Sequence, residues 1–308
     1  MKIKYNILWV ENERDWLDSI VEEFRDFVEG YGFQFYFDVA ESKSEIGDYN
    51  KYDLILMDLN LASEPTGDEI IREIRQLNIY TDVIFYSAGG IETIRQKGRE
   101  RELEGVYYSG RNSQLFTEKV KQVIMTTIRK TQDINNIRGL VMAEVSELDA
   151  MMGEILSVFL PKGDMLKKFH NKVTKDREET IHKSLNKGNC EKDCQLNWRR
   201  LSIDEIIDII DTSQKARGLN IILNALQTQG GGTIYNSPNG KNFCENYHEE
   251  IIEMRNNLAH CKSAEGPDGE VLKTKKGDVI FSLDTFTRIR KDITGYHKLF
   301  EQILQRSL

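Results

Sequence analysis

Leu54-Ile55-Leu56-Met57-Asp58-Leu59-Asn60-Leu61 decides the reading of the first part of the chain. Four apolar residues in unbroken succession predict a strand buried on both faces, and the run stops on a carboxylate. The same pattern recurs outward from it. Ile7-Leu8-Trp9-Val10 ends in Glu11-Asn12-Glu13, Val83-Ile84-Phe85-Tyr86 ends at Ser87, and Val106-Tyr107-Tyr108 ends at Ser109. Phe33 to Val39 reads as one more strand. Between these runs the period changes from two to about 3.6. Trp16, Ile20, Phe24 and Phe27 mark a first helix, Ile70, Ile71 and Ile74 another, and Phe116 to Ile128 a closing one. Strands alternating with helices predict an α/β fold, a doubly wound parallel five-stranded sheet covered on both faces. In such folds a site lies at the carboxyl ends of the strands, where Glu11, Asn12, Asp58, Ser87 and Ser109 fall.

Composition narrows the classes. The chain has 308 residues, 39% of them hydrophobic and 30% charged, which is enough apolar matter for packed cores and rules out wholesale disorder. Residues 1–125 carry 15 Lys and Arg against 24 Asp and Glu, and the rest carries 27 against 26. An acidic front and a neutral back argue against a protein that coats nucleic acid, and no helix-turn-helix pattern is present. Four cysteines in the second half are no disulfide framework. No apolar run reaches the roughly 18 residues of a membrane span, and Met1–Tyr5 leads into a strand without a signal segment, so a cytoplasmic protein is expected.

Carboxylates grouped at strand ends suit a hard divalent cation with oxygen ligands, and a carboxylate beside such an ion accepts a phosphoryl group as an acyl phosphate. Over roughly residues 4–125 the pattern resembles the receiver domain of bacterial response regulators, with Asp58 and the following Pro65-Thr66-Gly67 matching the phosphoacceptor strand and its loop. The resemblance implies phosphorylation of Asp58 by a histidine kinase or another phosphodonor, as in a phosphorelay. It also implies Mg²⁺ held by Glu11, Asn12, Asp58 and the Asn60 carbonyl, and a switch hydroxyl at Ser87. Two positions depart from the family. An amide, Asn12, stands where a second carboxylate is usual, and Ser109 stands where a lysine pairs with the phosphate. Whether Arg111, two residues on, takes the lysine's place is left open, as is whether the domain is phosphorylated or acts by docking alone.

From 126 to 160 few breakers occur. Ile134, Ile137, Val141, Val145, Leu148, Met151, Met152, Ile155 and Phe159 recur at helical spacing and predict a connecting helix that packs into a second domain, 130–308. That domain reads as all-α, with helices near 164–185, 202–213, 216–229, 242–261 and 284–306. A small hairpin is expected at Val271–Thr274 and Asp278–Phe281, and a loop at 186–198.

Within it, Glu253-Met254-Arg255-Asn256-Asn257-Leu258-Ala259-His260 resembles the Arg-x4-His signature of HEPN domains, a helical family rich in ribonuclease toxins and defence nucleases. The resemblance implies a metal-independent endoribonuclease acting on RNA, in a toxin or phage-defence setting, with Arg255, Asn256 and His260 as its site at a dimer interface. Histidine titrates near neutrality and serves as acid or base, and arginine holds a fixed charge for a phosphate. Five residues separate Arg255 from His260, about 140° around a helix and about 7.5 Å along it, so a homodimer through this domain is expected to complete one cleft. The bland alternative pairs Arg255 with Glu250 or Glu253 and leaves His260 as a helix C-cap. Glu144 and Glu147 are candidate supporting carboxylates, more simply read as a solvated face.

Cys190 and Cys194 with His182 lack a second ligand pair for zinc, and Gly230–Gly232 lacks the lysine and hydroxyl of a phosphate loop. The combined expectation is a receiver-like domain regulating a dimeric ribonuclease. Its rival is a non-catalytic response regulator whose helical domain binds a partner protein.

Overall fold

The computed structural model describes residues 3–130, 132–162, 164–179, 201–228, 234–237, 239–266, 269–274 and 276–306. The chain divides into two compact units. The first is Met1–Asn136 with Leu283–Lys291, and the second is Ile137–Ser282 with Asp292–Leu308.

In the first unit five strands, β1 (Lys4–Val10), β2 (Gln34–Ala40), β3 (Leu54–Asp58), β4 (Asp82–Ser87) and β5 (Val106–Gly110), form a parallel sheet in the order β2-β1-β3-β4-β5. Helices α1 (Arg14–Gly30), α2 (Gly67–Gln76), α3 (Ile91–Glu100) and α4 (Ser113–Lys130) cover it. Alternation along β1 sends Tyr5, Ile7 and Trp9 to the core shared with α1 and α4, and Leu8 and Val10 to the one shared with α2 and α3. The α1 stripe that goes inside is Leu17, Ile20, Val21, Phe24 and Val28, while Trp16 and Phe27 stay half-buried at its rim. The strand order reverses between β1 and β3, so the residues that follow β1 and end β3 flank the crevice where such folds place ligands.

The second unit is mostly helical, with α5 (Ile134–Phe159) as its longest element, beginning three residues before the unit does. Short α6 (Met165–Phe169) runs through a π-turn at His170–Thr174 into helix up to 179, and α7 (Ile203–Ile209) and α8 (Thr212–Thr228) follow. Next, α9 (Phe243–Tyr247) continues through a second π-turn, His248–Ile252, into α10 (Glu253–His260), so one helical run carries the whole Arg-x4-His segment. Phe243 and Tyr247 anchor this run against Tyr296 and Phe300 of the last helix, α11 (Leu283–Gln305), with Tyr247 and Tyr296 edge to face at 4.9 Å. The expected hairpin is β7 (Gly269–Thr274) with β8 (Gly277–Ile280), and a third strand the sequence did not suggest, β6 (Ser263–Gly266), joins it as an antiparallel sheet. Ser263–Gly266 follows the helix end too closely to show an alternation of its own. The loop at 186–198, Cys190, Cys194 and His182 lie outside the described residues.

The first half of α11 belongs to the first unit, through Arg290. Its guanidinium is fully buried, donates from Nε to the Tyr31 carbonyl at 2.9 Å and lies 4.4 Å over the Phe33 ring. Gly32 lets the helix come this close. Its φ is +78°, and a Cβ there would meet Arg290 Cβ at 2.8 Å and the Thr287 carbonyl oxygen at 2.9 Å. Replacing Gly32 with Ala therefore costs roughly 1–3 kcal/mol in urea unfolding through strain and clash together. Gly30→Ala, where a Cβ meets nothing within 4 Å, leaves stability unchanged or slightly raised. Equal stability of the two variants would contradict the close packing at Gly32.

Candidate functional site

The acidic pocket forms where β1 and β3 end. Glu11 directly follows β1 and is fully buried, and Asp58 ends β3 with 3% of its surface exposed. Gly67 is required beside it, because a Cβ at that position would lie 2.0 Å from the Asp58 carbonyl oxygen. Asp58 Oδ1 is buried and accepts no hydrogen bond among the described residues. Burial and the neighbouring charge of Glu11 push the Asp58 carboxyl up to about 7, although Arg111 and the backbone N–H groups of Leu59 and Asn60 oppose them.

Glu11 is the hub. Its Oε1 accepts from the Glu13 backbone N–H at 2.8 Å. Its Oε2 accepts from the Tyr86 hydroxyl at 3.0 Å and from Arg111 Nη2 at 3.1 Å. Tyr86 in turn accepts from Trp9 Nε1 at 2.8 Å. Burial and the charges of Glu11 and Asp58 hold the Tyr86 phenol well above its ordinary value, so it remains a donor. Arg111 also donates from Nη1 to Glu13 Oε1 at 2.6 Å, and its guanidinium carbon lies 4.5 Å from the Trp16 ring centroid. Burial works against the Arg111 charge, but the hydrogen bond to Glu13 and the charges of Glu11, Glu13 and Asp58 outweigh it and raise its pKa. Asn12, with its amide nitrogen turned to satisfy both ends of the side chain, donates to Glu11 Oε1 at 3.3 Å and to the Asn60 carbonyl at 3.1 Å.

Glu11, Asn12, Asp58, Asn60 and Arg111 are thus brought together. The two serines are buried but engaged elsewhere. Ser87 Oγ accepts from the Gly89 N–H at 3.1 Å, and Ser109 Oγ donates to the Gly110 carbonyl at 3.0 Å. Tyr86, Trp16 and Glu13 belong to the pocket although motif reading did not select them. The signal for Tyr86 was its place one residue before Ser87, pointing to the opposite sheet face. The donor set does not fit a bare divalent ion as it stands. Asp58 Oδ1 is available, but both Glu11 oxygens and the Asn60 carbonyl are already taken by hydrogen bonds. Among the described residues no group of three or more His, Cys, Asp or Glu side chains is placed to hold a metal.

The second candidate site lies on α10. Arg255, Asn256 and His260 are all exposed, and Arg255 Nη1 donates to Asn256 Oδ1 at 2.9 Å. The two carboxylates that the sequence offered as partners for Arg255 are committed to other groups. Glu250 accepts from the Tyr296 hydroxyl at 2.6 Å, and Glu253 pairs with Lys276 at 2.7 Å. His260 is the last residue of α10, one residue before Cys261, whose carbonyl accepts from Arg138 Nη2 at 2.9 Å. Glu144 does have a partner, His297 Nε2 at 2.9 Å, which sequence reading did not foresee because the two are 153 residues apart.

Comparisons with known proteins bear on the first unit. The chain is 31% identical over 77 residues to the transcriptional regulatory protein ComA of Bacillus subtilis (strain 168), a stretch that makes up 25% of this chain and 36% of ComA. The chain thus spans about a third of that relative's length. Similar solved structures include a receiver domain of a DNA-binding response regulator from Colwellia psychrerythraea 34H (17% identity, 40% of this chain and 99% of that one, TM-score 0.33). A LuxR-family response regulator from Staphylococcus aureus (16%, 40% and 98%, 0.32) and a CheY-like receiver protein from Methanospirillum hungatei JF-1 (15%, 41% and 98%, 0.30) are others. No family model matches the chain. The first unit is response-regulator-receiver-like in sequence and in its five-stranded parallel architecture. No helix among the described residues is long and apolar enough to cross a membrane.

The Asp58 carboxyl yields a pH prediction. Its folded pKa of about 7 lies above the ordinary 3.8, so the folded state holds the proton more tightly than the unfolded one. Ionising it costs stability progressively as pH rises from about 4 to 7, and the penalty is complete above 7. Asp58→Asn removes that penalty. It raises stability at pH 8 by on the order of 2–4 kcal/mol, with the gain vanishing near pH 4. Urea unfolding at the two pH values measures it, and a pH-independent difference would contradict the assignment.

Proposed function

We propose that this protein is a signalling effector in which the receiver-like unit, taking a phosphoryl group on Asp58 from a histidine kinase or other phosphodonor, regulates a dimeric, metal-independent HEPN-type endoribonuclease. The observation that carries the nuclease half is Arg255: an exposed guanidinium oriented by Asn256, with no carboxylate paired to it among the described residues, five positions before an exposed histidine. An exposed guanidinium with its remaining donors in solvent is able to fork onto the two oxygens of a phosphate, the bidentate geometry in which arginine is strongest.

The chemistry follows from the two side chains. The ribose 2′-OH attacks the adjacent phosphorus, the bond to the 5′-oxygen breaks, and a 2′,3′-cyclic phosphate and a 5′-hydroxyl result. His260 takes the 2′ proton or protonates the leaving oxygen, and Arg255 stabilises the charge that builds on the phosphate oxygens. At about 140° apart on one helix, Arg255 and His260 of a single chain diverge, and a two-fold pairing of α10 segments brings both kinds of group to one phosphate.

RNA incubated with the full chain in EDTA, before and after treatment with a phosphodonor, tests this. The wild type cuts RNA and leaves cyclic phosphate ends, while His260→Ala and Arg255→Ala, with unchanged melting, cut at least about 10²-fold more slowly. Sedimentation shows a two-chain species. Intact RNA in both states of the wild type would contradict the nuclease reading and favour a partner-binding domain, as would a His260→Ala variant that cuts normally.

A further inference from the structure

The pocket at the ends of β1 and β3 holds Glu11 and Asp58 almost without solvent, with Glu13 at its mouth. Carboxylates so placed require positive charge from somewhere. We propose that the charge is built into the chain: Arg111 is the pocket's resident cation, and Asn12 fills the position a divalent ion would otherwise take between Glu11 and the Asn60 carbonyl.

Three observations converge on this. Arg111 ion-pairs with Glu11 and with Glu13 at once, and its charge is felt by Asp58, so one guanidinium serves all three carboxylates. It is a fixed group, because its side chain is only 11% exposed and stacks on Trp16, which is itself wedged against Tyr86 and Phe116 at 5.4 and 5.1 Å. The Asn12 amide nitrogen bridges Glu11 Oε1 and the Asn60 carbonyl oxygen, two hard oxygens of the kind Mg²⁺ selects. An aspartate at position 12 would set a third carboxylate against Glu11 and Asp58 and create a demand for a metal, whereas the isosteric amide supplies a donor in its place. A divalent ion entering here has to displace a buried arginine ion pair and strip both Glu11 oxygens of their donors, a loss that its own ligands, one Asp58 oxygen first among them, do not offset. The proposal holds independently of whether the helical unit cuts RNA.

The test uses the full-length protein and Mg²⁺ alone, titrated into the millimolar range against sodium chloride at matched ionic strength. Two readouts are followed: the melting temperature and the tryptophan emission, with Trp16→Phe identifying the Trp16 contribution. Wild type shows no saturable change in either. Arg111→Ala melts lower than wild type without Mg²⁺ and is restored toward it by Mg²⁺, and the double variant Asn12→Asp, Arg111→Ala responds more strongly still. A saturable Mg²⁺ response in wild type overturns the proposal, and so does a folded Arg111→Ala that ignores Mg²⁺. If Arg111→Ala does not fold, Asn12→Asp alone decides. It preserves size, so under the proposal it gains a saturable Mg²⁺ response, and its failure to respond overturns the proposal.

Discussion

A buried carboxylate needs a partner, and for Glu11 that partner is Arg111. Glu11 sits fully buried at the point where the strand order reverses, a place the parallel topology makes unavoidable once β1 lies between β2 and β3. Removing one member of such a pair leaves the other charged, desolvated and alone, which costs about 3–5 kcal/mol in comparable cases. The surrounding parts are arranged to keep the pair whole. Tyr86 donates to the same Glu11 oxygen, Trp9 donates to Tyr86, and Trp16 covers the guanidinium. Aromatic residues of β1, α1, β4 and α4 therefore serve two ends, filling the core and orienting the charges at its rim.

The second unit treats its ionisable groups in the opposite way. Glu250 accepts from the Tyr296 hydroxyl, Glu253 pairs with Lys276 and Glu144 is hydrogen-bonded to His297, while Arg255 and His260 stay exposed. The helical run that carries them is pinned at its start by Phe243 and Tyr247, and at its end Arg138 holds the Cys261 carbonyl.

Much of the first unit was legible because its strands are short, wholly apolar runs ending on polar residues, a pattern with few alternative readings. Asp58, Glu11 and Asn12 could be placed at strand ends from periodicity alone. What could not be read was where long side chains reach. Arg111 lies two residues past Ser109, and only the tertiary fold brings its guanidinium back over Trp16 to Glu11, a contact spanning 100 residues of sequence. Ser109 stands where the resembled family has a lysine, and its hydroxyl turns to its own neighbour's carbonyl. In the second unit the Arg-x4-His helix stood out through local spacing. The pairing of Glu144 with His297, the burial of Arg290 against the Tyr31 turn and the third strand at Ser263–Gly266 all depend on non-local packing, and no local pattern announces them.

The most direct measurement of the central claim is a crystal structure of the full chain grown in Mn²⁺, whose anomalous scattering marks any bound divalent ion. An Arg111 guanidinium on Glu11 and Glu13, with no anomalous peak within coordinating distance of Asp58, is the predicted result. A manganese ion bridging Asp58, Glu11 and the Asn60 carbonyl, with Arg111 swung off Trp16, would contradict it.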